Sequence, residues 1–389
     1  MKTVKTALGM IVKSLDSDTE LLYFLENAEK YGHKIDCVIV AYSVRLDPMV
    51  EAKISRKLPF HAIDIRNPGF CRDGFDKRGV SAKTRDRLLV CPYNVDGRNG
   101  TTPYGFNRTV VTIEAIMRDV DVLFFVDSDV HPSVLKQTPE GPVCEDVDFF
   151  GAHLAHLNAG SQITTGEYSG YNILPPAEFD GMDDLLRGLQ KADMLEFWQT
   201  SASHRCLTYQ PASAQPQPCT KILGGNTAIK LSVFQTLPPF FSSYYTVDGA
   251  LFLCRGEDTV LGAEIGRSGV VCTDVGLNPL HDTYMSFPAE PDLRGDPAVQ
   301  QRFYYACTGW VGRNPFLNYI RGADLKTVRV RQREELEKGL GALAAYTSNP
   351  VYTGVIKNFD ISWDSLNRYI EEYERTLEAW DEFRNRNGK

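Results

Sequence analysis

Apolar runs of strand length recur along the first third of the chain and alternate with segments that have the period of a helix. The strand-like runs span residues 4–12, 35–41, 60–65 and 122–126. Helical patterns begin in residues 14–20 and cover residues 82–89 and 104–118. Because strand-helix-strand order favours parallel pairing with right-handed crossovers, the pattern predicts an α/β fold with a mainly parallel twisted sheet flanked by helices.

The second half of the chain predicts three further sheet elements, a loop-rich insertion and a helical C-terminus. The sheet elements are expected at residues 148–152, 221–230 and 269–274. Between the first two, residues 156–218 are rich in Gly, Ser, Tyr, Asn and Pro and contain one helical segment, 182–198. We therefore predict an α/β domain over residues 1–290, with an insertion at about 156–220, and a helical extension over residues 291–389.

The insertion is rich in aromatic residues, which have two interpretations. They are Tyr168, Tyr171, Phe179 and Trp198. Such a set can form the wall of a sugar-binding site, or it can close a small satellite core. The pattern alone leaves both open.

The C-terminal residues predict helices over 298–321 and 323–346, followed by a last helix with a narrow apolar stripe. The stripe follows a 3-4-3-4-3 spacing and consists of Trp363, Leu366, Ile370, Tyr373, Leu377 and Trp380. This spacing is typical of a helix that packs along one face. We expect the stripe to dock on the rest of the chain, with a homodimer seam as the alternative.

Composition and charge narrow the function classes. The formal net charge is -8, with 42 Lys and Arg against 50 Asp and Glu, which argues against nucleic acid as the main partner. No run of 18 apolar residues predicts a membrane span, and the N-terminal apolar run is too short for a secretion signal. The nine cysteines include no C-x-x-C pair, so reduced thiols in a cytoplasmic protein are expected, with a Cys206–Cys219 disulfide as the alternative in an oxidising environment.

The strongest chemical signal is the end of the strand Val122–Val126, where Asp127-Ser128-Asp129 follows five apolar residues. Five such residues in a row indicate a strand buried on both faces of a parallel sheet. Two carboxylates at alternate positions can converge on one hard cation, Mn²⁺ or Mg²⁺, which in turn binds a diphosphate. The alternative interpretation is a turn or helix cap, since short D-x-D patterns occur by chance.

Three further motifs follow in the chain. Gly224-Gly225-Asn226 indicates a bulge or a close approach of the backbone to a ligand. Glu257 and Asp258 stand where a loop enters a helix, so Asp258 either stabilises the helix N-terminus or faces a cleft. His281 precedes an aspartate and can supply a nitrogen ligand.

The order of these motifs resembles the GT-A class of nucleotide-sugar-dependent glycosyltransferases. That class has a D-x-D metal site, a glycine-containing segment under the donor sugar, an x-E-D motif and a C-terminal metal-binding histidine in this order. The resemblance covers residues 4–285 approximately and does not identify a particular family. It implies a GT-A, Rossmann-like domain in residues 1–290 whose nucleotide-binding half is 1–130, with nucleoside-diphosphate sugar and Mn²⁺ or Mg²⁺ as donor and cofactor.

The resemblance also implies roles for individual residues. Asp127 would contact the ribose or the metal, while Asp129 and His281 would be metal ligands. Ser128, between the two aspartates, is grouped with the donor-binding residues.

Around the donor, the resemblance places the nucleobase at Lys13 and Tyr42, which also fall at the carboxyl ends of predicted strands. Arg108 would lie near the ribose or pyrophosphate. The donor sugar would be lined by Gly224, Gly225 and Asn226.

The implied reaction is the transfer of a sugar to a hydroxyl group of a saccharide or glycoconjugate, and we expect the sugar to be a hexose. If the anomeric configuration inverts, Asp258 is the candidate general base and Glu257 orients the acceptor or a neighbouring helix. If the configuration is retained, Asp258 positions the acceptor instead. The sequence does not decide between the two outcomes.

Three other functions compete with this interpretation. A sugar-nucleotide nucleotidyltransferase also uses carboxylate-held Mg²⁺, but the segment after the first strand, residues 11–15, lacks the glycines of a phosphate loop. A non-catalytic carbohydrate-binding protein is a second alternative. A nucleic-acid-modifying enzyme would require the arginines of the first third to cluster in space, namely Arg85, Arg87, Arg98 and Arg108.

Overall fold

The computed structural model describes residues 4–67, 71–92, 102–191, 194 and 206–387. Its strands are β1 Thr6–Leu15, β2 Cys37–Leu46, β3 Phe60–Asp64, β4 Val122–Val126, β5 Val130–Thr138, β6 Gly141–Asp146, β7 Ile163–Thr165, β8 Gly170–Tyr171, β9 Leu207–Thr208, β10 Gln217–Pro218, β11 Asn226–Lys230, β12 Tyr244–Val247, β13 Ala250–Leu253, β14 Cys272–Asp274 and β15 Pro279–His281.

Its α-helices are α1 Thr19–Lys30, α2 Pro48–Ser55, α3 Arg72–Lys77, α4 Ala82–Leu89, α5 Tyr104–Met117, α6 Phe149–Asn158, α7 Met182–Gly188, α8 Glu257–Ser268, α9 Pro297–Ile320, α10 Leu325–Thr347, α11 Val355–Asp364 and α12 Leu366–Asn387. In the described part of the chain, 3₁₀ helices span Leu231–Gln235 and Pro350–Gly354.

The main sheet has the strand order β10-β14-β7-β11-β4-β1-β2-β3 within the described residues. Strands β4, β1, β2 and β3 are parallel neighbours, as strand-helix-strand order requires. Strand β11 runs antiparallel between β4 and β7. The predicted fold class, α/β with a mainly parallel twisted sheet flanked by helices, is confirmed.

Both faces of this sheet are covered, which explains the continuous apolar runs in its strands. In β4, Leu123 and Phe125 enter the core under α5 and α12, while Val122, Phe124 and Val126 enter the core under α1 and α6. Strand β2 divides its residues between the same two cores. A strand buried on both sides needs no polar alternation, so the sequence of β4 is apolar throughout.

The prediction of a sheet element at residues 148–152 is wrong, because these residues begin α6. The Asp148 carboxylate accepts a hydrogen bond from the backbone N–H of Gly151 at 2.8 Å and caps the helix. Phe149 and Phe150 pack edge-on against Phe24 and belong to the core between α1 and α6. A short apolar run does not distinguish a buried strand from the first turn of a buried helix, so the cap decides.

Some aromatic residues of the insertion line a cleft, and another packs in a hydrophobic core, so each of the two interpretations applies to part of the set. Tyr168 and Tyr171 line a cleft, whereas Phe179 packs on Tyr346 with ring centroids 5.0 Å apart. Trp198 lies outside the described residues, as do most of residues 192–200 and all of the Gly-rich segment 97–100. Of the helix predicted at 182–198, the structure describes Met182–Gly188.

The C-terminal apolar stripe packs within the chain, as the docking prediction requires. It extends over α11 and α12, which are separated by Ser365. Tyr369 and Tyr373 join the core that α9 and α10 form with the insertion, and Trp380 joins the core under α5. The C-terminal helices therefore contribute to two cores of the α/β domain, and the homodimer alternative stays a prediction.

All nine cysteines are free thiols in the structure, and the Cys206–Cys219 pairing is not made. Cys206 is buried within the insertion, whereas the Sγ of Cys219 lies 3.5 Å from that of Cys272 beside the β10–β14 pair. In the part of the chain that the structure describes, no helix has both the length and the apolar character needed to cross a membrane.

Candidate active site at the end of the central strand

The D-x-D segment is a tight turn that joins β4 to β5. The backbone N–H of Val130 donates to the Asp127 carbonyl at 3.2 Å and closes the turn. Asp127 and Asp129 are partly buried, with side chains 28% and 22% exposed, while Ser128 is exposed and does not line the adjoining cleft. The turn thus presents its two carboxylates towards the protein and its serine towards solvent.

Arg108 organises one side of the site from a buried position on α5. Its side chain is 3% exposed, and its Nη2 donates to Asp127 at 2.9 Å. Its Nε donates to Glu257 at 2.8 Å and its Nη1 to the Gly224 carbonyl at 2.8 Å. Burial lowers the pKa of Arg108, but the attraction of Asp127 and Glu257 outweighs it, so the pKa is raised on balance.

With every guanidinium nitrogen bonded to protein, Arg108 holds three parts of the site in place. These parts are the D-x-D turn, the glycine segment and the first turn of α8. A contact of Arg108 with the ribose or pyrophosphate of a donor stays a prediction. The three hydrogen bonds show a positioning role.

The two glycines precede β11, and their missing side chains make room for this network. A Cβ on Gly224 would lie 2.3 Å from Nη2 of Arg108, and one on Gly225 would lie 2.6 Å from Oδ2 of Asp127. The Gly225 N–H also donates to the Tyr168 hydroxyl at 2.9 Å. In the structure, the groups that approach the two glycines are side chains of the site, and a close approach to a ligand stays a prediction.

The assignment of Asn226 to the donor sugar needs correction. Its side chain is fully buried, and its amide nitrogen donates to the carbonyls of Glu167 and Leu277, each at 2.9 Å. Its amide oxygen lies 3.0 Å from the Nε2 of His153, whose pKa burial lowers to about 4. Since protein groups occupy both ends of the amide, Asn226 anchors the glycine segment and does not line a ligand.

Glu257 and Asp258 occupy the first turn of α8, and they face different ways. Glu257 is 5% exposed and is directed to Arg108. Burial and the neighbouring Asp258 raise the pKa of Glu257, against the effect of Arg108. Asp258 lines the cleft, and its carboxylate accepts hydrogen bonds from the backbone N–H groups of Gly224 at 3.2 Å and Thr259 at 2.6 Å.

His281 reaches the D-x-D turn through strand pairing. Strand β15 runs antiparallel to β5, which places His281 opposite Val130 and its Nε2 3.2 Å from Oδ1 of Asp129. Burial lowers the pKa of His281, but the carboxylate of Asp129 raises it on balance. Burial raises the pKa of Asp129, yet His281 and Arg302 outweigh this and bring it to about 2.

The donor groups of this turn fit a divalent cation in their chemistry. Two carboxylates and one imidazole are ligands suited to Mn²⁺, and the carboxylates suit Mg²⁺. Within the described residues, no three His, Cys, Asp or Glu side chains are grouped closely enough to hold a metal together. Asp129 and His281 are in contact, whereas Asp127 is directed to Arg108, so the protein brings two of the three predicted ligands together.

The cleft beside these residues has a volume of about 530 Å³. Its walls come from the β4 turn, the insertion, the start of α8 and α9, and they include Asp127, Gly224, Asp258 and His281. Lys13 and Tyr42, on β1 and β2, are not among its lining residues. Their assignment to a nucleobase therefore stays a prediction about a neighbouring surface.

Two arginines of the site were not predicted from the sequence. Arg302 of α9 donates to Asp129 at 3.0 Å, and Arg255 lies near the rings of Tyr104 and Tyr305, with its Cζ 5.4 and 5.5 Å from their centroids. Tyr168, one of the aromatic residues considered for a sugar-binding wall, contacts His281 with ring centroids 4.5 Å apart and ring planes tilted by 49°. Arg255 directly precedes the Gly256-Glu257-Asp258 motif, which is a local signal that could have identified it, whereas no local pattern identifies Arg302.

The arginines of the first third do not form one basic surface within the described residues. Arg108 is buried in the site, Arg85 pairs with Asp76 at 3.1 Å, and Arg87 donates to Thr376 of α12 at 3.2 Å. Arg98 lies outside the described residues. The described arginines, Arg85, Arg87 and Arg108, therefore do not form the cluster that a nucleic-acid-modifying enzyme would require.

No family model matches the chain, and no curated protein matches it. Similar solved structures include glucosyl-3-phosphoglycerate synthase from Mycobacterium tuberculosis in complex with Mn²⁺, UDP-glucose and phosphoglyceric acid, with a TM-score of 0.38, 12% identity, and coverage of 82% of this chain and 80% of that chain. The same enzyme with Mn²⁺, UDP and phosphoglyceric acid has a TM-score of 0.39, 12% identity, and coverage of 82% and 79%. At such low identities and TM-scores, these similarities establish neither a family nor an activity for this chain.

Proposed function

We propose that the protein is a metal-dependent glycosyltransferase that moves a sugar from a nucleoside-diphosphate sugar to a hydroxyl group of an acceptor. The observation that carries this proposal is the contact between Asp129 and His281 at the carboxyl end of β4, beside Asp127 and the cleft. Ligands of open α/β sheets bind at this end of the strands.

Asp127, Asp129 and His281 would hold Mn²⁺ or Mg²⁺. When bound, the ion acts as a Lewis acid on the diphosphate and stabilises the negative charge of the leaving nucleoside diphosphate. Asp127 and His281 line the cleft, and the side chains of Asp127 and Asp129 are both partly exposed.

The chain's own residues position the donor and the reacting groups. Gly224 lines the cleft, and Arg108 holds its carbonyl and the Asp127 carboxylate in one arrangement. Lys13 and Tyr42 are proposed to contact the nucleobase, and Arg255, which lines the cleft between two tyrosine rings, supplies a further positive charge. Because these groups are fixed before the donor binds, little ordering remains for the reaction step.

In the transfer step, the acceptor hydroxyl oxygen bonds to the anomeric carbon while the bond from that carbon to the β-phosphate oxygen breaks. The electron pair of the broken bond leaves with the nucleoside diphosphate. If the configuration inverts, the hydroxyl proton passes to Asp258, which two backbone N–H groups orient at the cleft wall. If it is retained, the proton passes to the departing phosphate and Asp258 positions the acceptor.

The same proposal specifies the sugar, the acceptor and the compartment of the reaction. The sugar is a hexose, the acceptor is a saccharide or glycoconjugate, and the reaction takes place in the cytoplasm. The aromatic residues Tyr168 and Tyr171 of the cleft support a carbohydrate ligand, because sugar rings pack on aromatic faces.

The test is calorimetric titration with a panel of nucleoside diphosphates, each with and without Mn²⁺, on the wild type and on Asp129→Asn. We expect one nucleotide to bind in a Mn²⁺-dependent manner and the variant to lose at least about tenfold in that affinity, since even outer partners of metal ligands contribute ~10–100-fold. Asp146→Asn is the matched control, because Asp146 is an exposed partner of Lys30 at 2.8 Å. Equal nucleotide affinity in wild type and Asp129→Asn would refute the metal assignment.

A further inference from the structure

A large pocket adjoins the catalytic cleft on the side of the C-terminal helices. Its volume is about 1110 Å³, which is at the upper end of the range for ligand sites. The end of α7, residues 220–223, and the helices α8, α9 and α10 form its walls. We call this space the basic pocket.

The charge of the basic pocket is opposite to that of the chain. Among the described residues, its lining contains one carboxylate, Glu335. It contains seven cationic side chains, five arginines and two lysines: Arg187, Arg267, Arg313, Arg321, Arg331, Lys191 and Lys221. In a protein with 50 acidic and 42 basic residues, this concentration produces a local positive potential that attracts anions.

Several of these cations are available to a ligand. Arg321 and Arg331 make no ion pair within the described part of the chain. Arg187, Lys221 and Arg267 contact Asp183, Glu167 and Glu264 at 3.6, 2.5 and 3.9 Å, and all three cationic side chains are at least half exposed. Ion pairs of exposed side chains contribute little to stability, so an oxyanion can replace the carboxylate partner at small cost.

A second observation indicates a hydroxylated ligand. Gln332 lines the basic pocket and is 3% exposed, yet its amide oxygen has no hydrogen-bond partner among the described residues. Its amide nitrogen donates to Gln190 at 3.2 Å, and Gln190 in turn exchanges hydrogen bonds with Asn318. A buried acceptor without a donor is destabilising, and a sugar hydroxyl would satisfy this oxygen once the Gln332 side chain turns towards the pocket.

The pocket and the catalytic cleft are continuous. Lys191, Lys221, Leu223, Thr259 and Arg313 line both of them. Leu223 and Thr259 are the chain neighbours of Gly224 and Asp258, respectively. A molecule held in the basic pocket can therefore extend a hydroxyl group towards Asp258.

We propose that the basic pocket binds the acceptor and that this acceptor is an anionic saccharide, whose phosphate or carboxylate groups contact the arginines. This inference rests on the proposed function and specifies its acceptor. Arginine suits both anions, because its planar guanidinium donates two parallel hydrogen bonds to a phosphate or a carboxylate. The transfer step is the one described above, with the acceptor hydroxyl as nucleophile.

The experiment titrates the full chain at low salt with three probes on the same sugar skeleton: glucose 6-phosphate, glucuronate and glucose. We expect at least one anionic probe to bind at least tenfold more tightly than glucose. The preferred probe distinguishes phosphate from carboxylate as the recognised group. Equal binding of glucose, or no binding of either anion, would overturn the proposal.

The variant for this test is Arg321→Glu combined with Arg331→Glu, which reverses two charges on the side of the pocket away from the cleft. We expect the affinity for the anionic probe to fall at least tenfold. Arg56→Glu is the control, because Arg56 is exposed at the end of α2, outside the pocket lining, and should leave the affinity unchanged. If the double charge reversal does not fold, the Arg321→Gln, Arg331→Gln variant takes its place, and unchanged probe affinity in a folded variant refutes the proposal.

A nucleoside diphosphate titration with Mn²⁺ on the same samples distinguishes a failure of the proposed function from a failure of the acceptor assignment. Loss of all nucleotide binding in the wild type contradicts the proposed function. Nucleotide binding without anionic-probe binding contradicts only the assignment of the basic pocket. A variant that loses the anionic probe but keeps the nucleotide supports both.

Discussion

The catalytic cluster and the basic pocket lie side by side but handle charge in opposite ways. In the catalytic cluster, defined by Asp127, Asp129, Arg108, Glu257, Asp258 and His281, every carboxylate accepts from a protein donor. Among the described residues that line the basic pocket, seven are cationic and one is a carboxylate. The difference shows that the first region is a closed hydrogen-bonded network in which carboxylates predominate, whereas the described lining of the second is predominantly cationic.

This contrast has an energetic reason. Arg108 and Glu257 are almost fully buried, and a buried charge without a partner is strongly destabilising, so the network must be closed within the protein. The arginines at the rim of the basic pocket, such as Arg321 and Arg331, are exposed to solvent and do not require a buried protein partner. Substitutions in the two regions should therefore differ in what they change, stability in one and ligand affinity in the other.

The largest expected effect concerns the carboxylate of the catalytic cluster that faces the cleft. With the donor identified by titration, Asp258→Asn should retain nucleotide affinity and lose about 10²–10⁴-fold in the rate of transfer if the reaction inverts, because the general base is removed. Rates are measured by release of nucleoside diphosphate, and the product's anomeric configuration by NMR. Asp248→Asn, at an exposed partner of Lys357, is the control, and a variant with the wild-type rate would exclude Asp258 as the base.

The next effect compares one arginine from each region. Arg108→Met should lower the free energy of unfolding by about 3–5 kcal/mol, because Asp127 and Glu257 lose their shared buried partner. Arg321→Met in the basic pocket should change it by less than about 0.5 kcal/mol, as for other exposed positions without a specific contact.

Urea denaturation of both variants and the wild type measures this difference. If Arg108→Met is as stable as Arg321→Met, the network around Arg108 is not the stabilising element described here.

The smallest effect compares one glycine from each region. Gly224→Ala places a Cβ 2.3 Å from Nη2 of Arg108, and we expect a loss of about 1–3 kcal/mol through forced shifts in the network. Gly266→Ala, in α8 at the wall of the basic pocket, meets only Thr220 at 3.5 Å and should stabilise the helix by up to about 1 kcal/mol. Thermal and urea unfolding measure the change in the free energy of unfolding for each variant. If the two variants are equally stable, a side chain at Gly224 does not disturb the network around Arg108.

Much of the framework is readable from local patterns. The apolar run Val122–Val126, the helix Ala82–Leu89 and the alternation of strands and helices predict the parallel sheet and the position of the D-x-D turn. The clearest failure, at residues 148–152, arose because a short apolar run has no periodicity that separates a strand from a helix. There the Asp148 cap determined the outcome.

The sequence predicted which residues lie at the site better than it predicted what each of them contacts. Gly224 and Gly225 were predicted to form a bulge or to let the backbone approach a ligand, and the groups that approach them in the structure are the side chains of Arg108, Asp127 and Tyr168. Asn226 was assigned to a ligand and is instead saturated by protein groups. A polar residue in a motif can contact a ligand or another part of the chain, and its burial decides which.

By itself, the sequence determined the α/β class, the turn that carries Asp127 and Asp129, and the residue types able to hold a divalent cation. Only the tertiary structure decided that His281 meets Asp129 through the β15–β5 register, that Arg302 joins them, and that arginines from α7, α8, α9 and α10 surround one pocket. The physical reason is range: secondary structure follows from neighbours in the chain, whereas His281 and Arg302 are each more than a hundred positions from Asp129, and the pocket arginines come from four separate helices. Their geometry depends on strand register and helix packing, which no local pattern encodes.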